Sequence, residues 1–189
     1  MQIYYPSLQA IEQTTRQLDN AQCHHCQQTQ QLVSHGMVYK KQVGGEPAMI
    51  GKRVFCSNRN QHTGCGRTMR LYLDAMVRYL HYTGEQVVAF VLALMAGMTM
   101  QQAYCQATGT SDPRHAYRWL HRLCAQLSSY RSLWHRPALA RSQASVNYPI
   151  CANRPVRRSL LTSTFEQLLQ HFGAATCANY QLQLQRSFL

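Results

Sequence analysis

The chain has 189 residues, 46% of them hydrophobic, and sets 19 lysines and arginines against 7 carboxylates for a formal net charge of +12. That length admits one domain of good size or two small ones, each with a packed core. The charge points to a polyanionic partner, nucleic acid above all, and the longest apolar run, Val87 to Met98, is too short to span a bilayer.

The segment from Met1 to Asn20 is polar and lacks the apolar core of a secretory signal. Eight cysteines in such a chain predict thiols held in a reducing compartment, where they bind metal or sit in cores. The expected location is therefore the cytoplasm, close to the nucleoid, with no membrane partner. Ser7 to Asn20 reads as an amphipathic helix. Leu8, Ile11, Thr15 and Leu18 share one side, and Ser7 is placed to cap it.

Next comes "CHHC". Beyond it, "LVSHGMVYKKQ" and "GKRVF" are β-prone, with "VGGEP" as the turn between them. The pattern predicts a small antiparallel ribbon bracketed by two cysteine pairs, Cys23 with Cys26 and Cys56 with Cys65. A Cys-x-x-Cys turn sets two thiolates about one tetrahedral edge apart, and a second pair at the far end of a hairpin completes four sulfurs. Zn2+ suits such a set, having no redox activity and no demand beyond four ligands. A ribbon this small buries too little core to fold alone, so the metal supplies folding energy. Gly66, directly after Cys65, is expected to let backbone N–H groups turn toward sulfur. His62 stands as a rival ligand, and His24 and His25 lie inside the first turn. A basic, acid-free loop carries Arg59 and His62 between the second pair and Arg67 just after it, preceded by Lys52 and Arg53. Held rigid by a metal, it is a candidate phosphate contact.

From Leu71 onward the texture is helical. "LYLDAMVRYLHY" reads as one helix ending near Gly84, "EQVVAFVLALMAG" as a buried second, "TMQQAYCQATG" as a third and "SDPRHAYRWLHRLCAQLSSYRSLW" as a fourth. The third and fourth have the organisation of a helix-turn-helix. Gly97 ends the preceding helix and Thr99 caps the next, small Ala103 sits where helices must cross closely, and Gly109 makes the sharp turn. Ser111 or Asp112 then caps the last helix, with Pro113 in its first turn. Trp119, Leu120 and Leu123 face a core, leaving Arg114, His115, Arg118, His121 and Arg122 for a major groove. Cys105 and Cys124, also on these helices, read as core residues.

Between Asp112 and Glu166 the chain has nine arginines and no carboxylate. Residues 136–158 hold three prolines without periodicity and read as an Arg/Pro-rich linker or arm. Ser163 and Glu166 form a capping box for "TFEQLLQHF", whose buried stripe is Leu161, Phe165, Leu168 and Phe172 and which Gly173 stops. The tail "NYQLQLQ" alternates strictly and predicts a strand that packs back on the ribbon.

The fold class expected is α+β, mostly α: helix and zinc ribbon over 1–70, a helix-turn-helix bundle over 71–135, the arm over 136–158, and a C-terminal helix and strand over 159–189. "GMTMQQAYCQATGTSDPRHAYRWLHR" resembles the helix-turn-helix of bacterial transposases and related regulators, with a slightly longer stretch between Ser111 and Tyr117. "CHHC", "HG" and "GKRVFCSNRNQHTGCGRTM" are similar to the zinc-ribbon segment ahead of such a module in insertion-sequence and mobile-element DNA-binding proteins. The resemblance implies binding of double-stranded DNA for transposition, with a transposase or a second copy of the chain as protein partner. The alternatives are a transcriptional regulator, a catalytic transposase or recombinase, and an RNA-binding protein. The seven carboxylates fall mostly on predicted helices and turns, with no sheet to gather them for two-metal chemistry. The expectation is therefore a binding protein and not an enzyme.

Overall fold

A computed structural model describes residues 1–41, 46–77, 82–134 and 154–189. The chain separates into a sheet unit, Met1–Glu85 with Cys177–Phe188, and a helical unit, Gln86–Thr176 with Leu189.

The sheet unit has four strands: β1 (Gln2–Tyr5), β2 (Leu32–Lys41), β3 (Pro47–Cys56) and β4 (Thr68–Leu73), in the order β1-β4-β3-β2. The β2–β3 hairpin is the expected ribbon; of the expected turn "VGGEP", residues 43–45 lie outside the described residues and Pro47 already belongs to β3. It is antiparallel, as is β3–β4, while β1 runs parallel to β4. Helix α1 (Leu8–Arg16) begins as expected at Ser7, whose Oγ accepts the Ala10 N–H at 3.1 Å. It ends sooner than the sequence suggests, and a 3-10 turn at Leu18–Asn20 takes over. Period-two geometry sorts the strands into two faces. Ile11 and Leu18 pack with Leu32, Val54, Met69 and Leu71 to form the core on the α1 side. The other face carries Tyr4 and Tyr72 at one end and Arg53, Phe55, Thr68 and Arg70 at the other.

Two sequence expectations fail in this unit. "LYLDAM" is not helical: Leu71–Leu73 belong to β4, the next residues form a turn, and 78–81 lie outside the described residues. Leu71 and Tyr72 are buried on opposite faces of the sheet, so the run lacks the alternation that marks a half-exposed strand. The tail is not a strand. Residues Thr176–Leu184 form helix α6, and the buried set is Thr176, Cys177, Tyr180 and Gln181, with Leu184 half-buried, a helical spacing. The apparent alternation came from glutamines, and two of these have jobs that polar residues on a strand surface lack. Fully buried Gln181 donates to the carbonyls of Asp74 and Met76 and accepts the Phe188 N–H at 3.0 Å. Gln185 accepts the Tyr4 N–H at 2.7 Å and donates to the Tyr4 carbonyl at 3.1 Å. A side-chain amide thus pairs with the open edge of β1 as a neighbouring strand would. At Gly84 an added Cβ would lie 2.4 Å from Cys177 Sγ, so glycine is required for α6 to approach there.

In the helical unit, α2 (Gly84–Met95) starts within the sheet unit, and α3 (Met100–Thr108), α4 (Arg114–Arg131) and α5 (Arg154–Phe172) complete the bundle. Helix α2 is not buried all round: Leu92 is exposed. Helix α3 opens on the expected Thr99 cap, reinforced by Gln102 as a full capping box, and closes on Gly109 in the left-handed conformation at φ 71°. Pro113 takes the N-cap position of α4, and Asp112 Oδ1 accepts the Arg114 N–H at 3.1 Å. The core is aromatic. The Phe90, Tyr104 and Trp119 rings meet edge to face with centroids 5.3 to 6.3 Å apart, over fully buried Ala103 and Leu123. Cys105 is exposed, against expectation, on the outer side of α3.

Helix α5 also departs from the reading. It starts at Arg154, nine residues before Ser163, with Pro155 in the first turn where its missing N–H costs nothing. Ser163 therefore sits inside the helix, its Oγ donating to the Leu160 carbonyl at 3.2 Å instead of capping. The stripe Leu161, Phe165, Leu168 and Phe172 is buried as expected, and Gly173 ends the helix at φ 72°. Of the expected arm, 136–153 lies outside the described residues and 154–158 opens α5.

Candidate metal centre

Cys23 and Cys26 stand in the loop that leads into β2, Cys56 ends β3, and Cys65 lies in the β3–β4 loop. The sheet brings these loops to one end, where the four Sγ atoms lie within 4.8 Å of one another. Two close separations cross between the pairs: Cys26 to Cys56 at 3.6 Å and Cys23 to Cys65 at 3.8 Å. A tetrahedron with metal–sulfur bonds of about 2.3 Å has edges of about 3.8 Å, so the set fits one ion, and all four cysteines are free of disulfides. His62 is not a member of the cluster.

Local backbone geometry explains why the thiols converge. The Gln27 N–H bonds back to the Cys23 carbonyl at 2.8 Å, with Gln27 at φ 61°, which folds "CHHC" into a tight turn. The His25 N–H points at Cys23 Sγ at 3.4 Å, and the Cys65 N–H points at Cys56 Sγ at 3.3 Å. Beside Gly66 it is the Cys65 amide that turns toward sulfur, not that of Gly66. The Gly66 N–H bonds the Cys56 carbonyl at 2.9 Å, and the glycine's φ of 69° makes the turn. Gly64 is the more constrained position and was missed: a Cβ there would stand 2.3 Å from the Ser57 carbonyl oxygen and 2.5 Å from Cys56 Sγ. The signal available was the doubled glycine around Cys65 in "TGCG".

Cys23 and Cys56 are fully buried beside the α1 core, while Cys26 and Cys65 are half-buried. Burial pushes the Cys56 thiol up to about 12, and the Gln28 backbone N–H, ahead of smaller effects, draws Cys26 down to about 7. A metal must therefore displace a firmly held proton at Cys56, so uptake releases protons and weakens as pH falls.

The basic residues divide. Arg59 and Arg67 are exposed on the loop between Cys56 and β4, and Arg67 Nη1 lies 3.4 Å from His25 Nδ1. Partial desolvation, then the positive charges of the amino terminus and Arg67, hold His25 below the ordinary imidazole value. Lys52 and Arg53, adjacent in sequence, point to opposite faces of β3. Lys52 Nζ donates to Thr15 Oγ1 on α1 at 3.4 Å, whereas Arg53 is exposed on the far face. In the helical unit, Arg114, Arg118 and His121 are exposed along α4, with His115 and Arg122 half-buried on its flank. At 3.6 residues per turn, these five occupy roughly a third of the helix circumference. Arg114 shares its guanidinium with Asp112 at 2.6 Å, and that contact holds the Asp112 carboxyl below its ordinary range. On the other flank, Tyr117, Leu120 and His121 open onto an apolar cavity of about 490 Å³, lined also by Met95, Met98 and Leu161.

Among the described residues, no helix is long and apolar enough to cross a membrane. No protein-family model, curated protein or solved structure matches the chain.

Proposed function

We propose that the chain is a zinc-dependent DNA-binding protein that recognises duplex DNA for a mobile genetic element and performs no strand chemistry of its own. The observation that carries this reading is the solvent face of α4. Arg118 and His121 stand clear of the core in line with Arg114, behind a capped α3 and a left-handed glycine turn. A capped helix, a tight turn and a second helix with a basic solvent face support a reading in which that second helix offers side chains to base edges in a major groove. The four-thiol cluster supports the rest. Zinc held there would fix the loop bearing Arg59 and Arg67, which would then neutralise backbone phosphates without reading sequence. Soft thiolate ligands in a tetrahedral set favour zinc among common divalent ions. The assignment to a mobile element follows from the resemblance of both motifs to insertion-sequence proteins.

A salt-titrated duplex-binding assay on the metal-loaded protein tests this reading. Arg118→Ala should narrow the gap between a selected site and random duplex by about tenfold, as expected for a base contact worth about 1–3 kcal/mol. Arg59→Ala should weaken both equally and lower the salt slope by about one. Equal losses for both variants on both duplexes would remove α4 from the reading role. Selection of element ends over promoter fragments separates transposition from ordinary gene regulation.

A further inference from the structure

The sheet face opposite α1 carries a row of hydrogen-bond donors. Strand register sets Gln2 of β1, Arg70 of β4 and Arg53 of β3 side by side, and the β2 irregularity between Ser34 and Met37, which holds His35, continues the row. At about 4.8 Å per strand the row is about 14 Å long. Two arginines directly opposed across a strand pair repel. Among the described residues the one ion pair is Arg114 with Asp112, so no carboxylate relieves Arg53 and Arg70. The Gln2 amide nitrogen is buried without a partner among the described residues, while its oxygen accepts from the Tyr4 hydroxyl at 3.3 Å. One step along the strands, half-buried Phe55 lies between Thr68 and Val33, its ring centroid 5.5 Å from that of exposed His35.

We propose that this face binds an unpaired nucleic-acid strand, with Arg53 and Arg70 on phosphates and the His35 and Phe55 rings against bases. An anion between the two guanidinium groups removes their repulsion, and a polynucleotide brings anions together with flat apolar faces. Aromatic rings stack on bases only where those bases are free of a complementary strand, which separates this surface from the groove-reading face of α4. The surface goes beyond duplex recognition and does not depend on it.

The test is fluorescence anisotropy with the intact, metal-loaded chain and two probes, a short oligo(dT) and a blunt duplex of the same length. Arg53→Ala and His35→Ala change exposed side chains, so both variants should keep their metal content and melting temperature. His35→Ala should weaken oligo(dT) binding by roughly tenfold, the scale of losing one stacked base. Arg53→Ala should weaken it by about threefold or more and lower its salt slope by about one, as for a lost phosphate contact. Neither should change duplex binding by more than about twofold. Arg118→Ala should do the reverse. Binding of oligo(dT) that survives both sheet substitutions in folded, metal-loaded protein overturns the proposal, as does equal weakening on both probes. If the duplex is not bound while oligo(dT) binding still depends on Arg53 and His35, the groove-reading role of α4 fails and this surface stands.

Discussion

The sheet unit gathers Ile11, Leu18, Leu32, Val54, Met69 and Leu71 into a thin core that runs directly into the Cys23 and Cys56 thiols. The helical unit buries Phe90, Tyr104 and Trp119 edge to face and has no thiol cluster among its described residues. Large aromatic side chains bury enough surface to hold helices together unaided. Small β-hairpins do not, and an ion held by the four thiols would substitute for the missing core. The two units should therefore respond to different insults.

Metal removal is the largest effect expected. A structural zinc is worth about 10–16 kcal/mol of apparent binding free energy, so a chelator, or Cys26→Ser, should unfold the sheet unit. Trp119 and Trp134 both lie in the helical unit, so tryptophan emission should stay constant while the calorimetric transition of the sheet unit disappears. A metal-free protein with its full melting profile would sink the comparison. The converse is Trp119→Ala, which should cost the helical unit about 3–5 kcal/mol in a denaturant titration and leave the bound metal at one ion per chain.

Smaller changes sharpen the picture within the sheet unit. Gln185→Ala removes two hydrogen bonds to the β1 backbone and should cost about 1–2 kcal/mol by urea midpoint, with concentration-dependent association through the bared edge. Lys40 gives the smallest effect. Its ammonium donates to the Tyr82 carbonyl at 2.9 Å, and burial lowers it to about 8 from 10.5. Between those values the folded chain has released a proton that the unfolded chain keeps, so stability rises with pH across the window. Lys40→Met should flatten that rise by no more than about 1 kcal/mol, because the group is nearly half exposed.

Features decided by local chemistry were legible in the sequence. The four cysteines were readable because spacing alone restricts where a thiolate can reach. The Ser7 and Thr99 caps, the Gly109 turn and the Leu161–Phe172 stripe were readable because each follows from a side chain and its near neighbours in sequence. Features settled by partners far along the chain were not. Leu71–Leu73 became a strand because β1 and β3 flank it, and nothing in "LYL" announces those neighbours. The tail became a helix because Gln181 and Gln185 meet carbonyls more than a hundred residues upstream. Lys52 and Arg53 read as one basic patch, yet the pleat of β3 sends them to opposite faces, which divided the predicted phosphate contacts and exposed Arg70 as the partner of Arg53.

The Gln185 clasp on Tyr4 joins residues 181 positions apart in the chain. Until residues 177–188 emerge from the exit tunnel, the Tyr4 backbone and the carbonyls of Asp74 and Met76 lack these partners. The nascent chain therefore holds all four thiols and all four strands well before it holds the helix whose glutamines close the β1 edge. Truncation before Cys177 should yield a fragment that takes up the ion yet aggregates along β1.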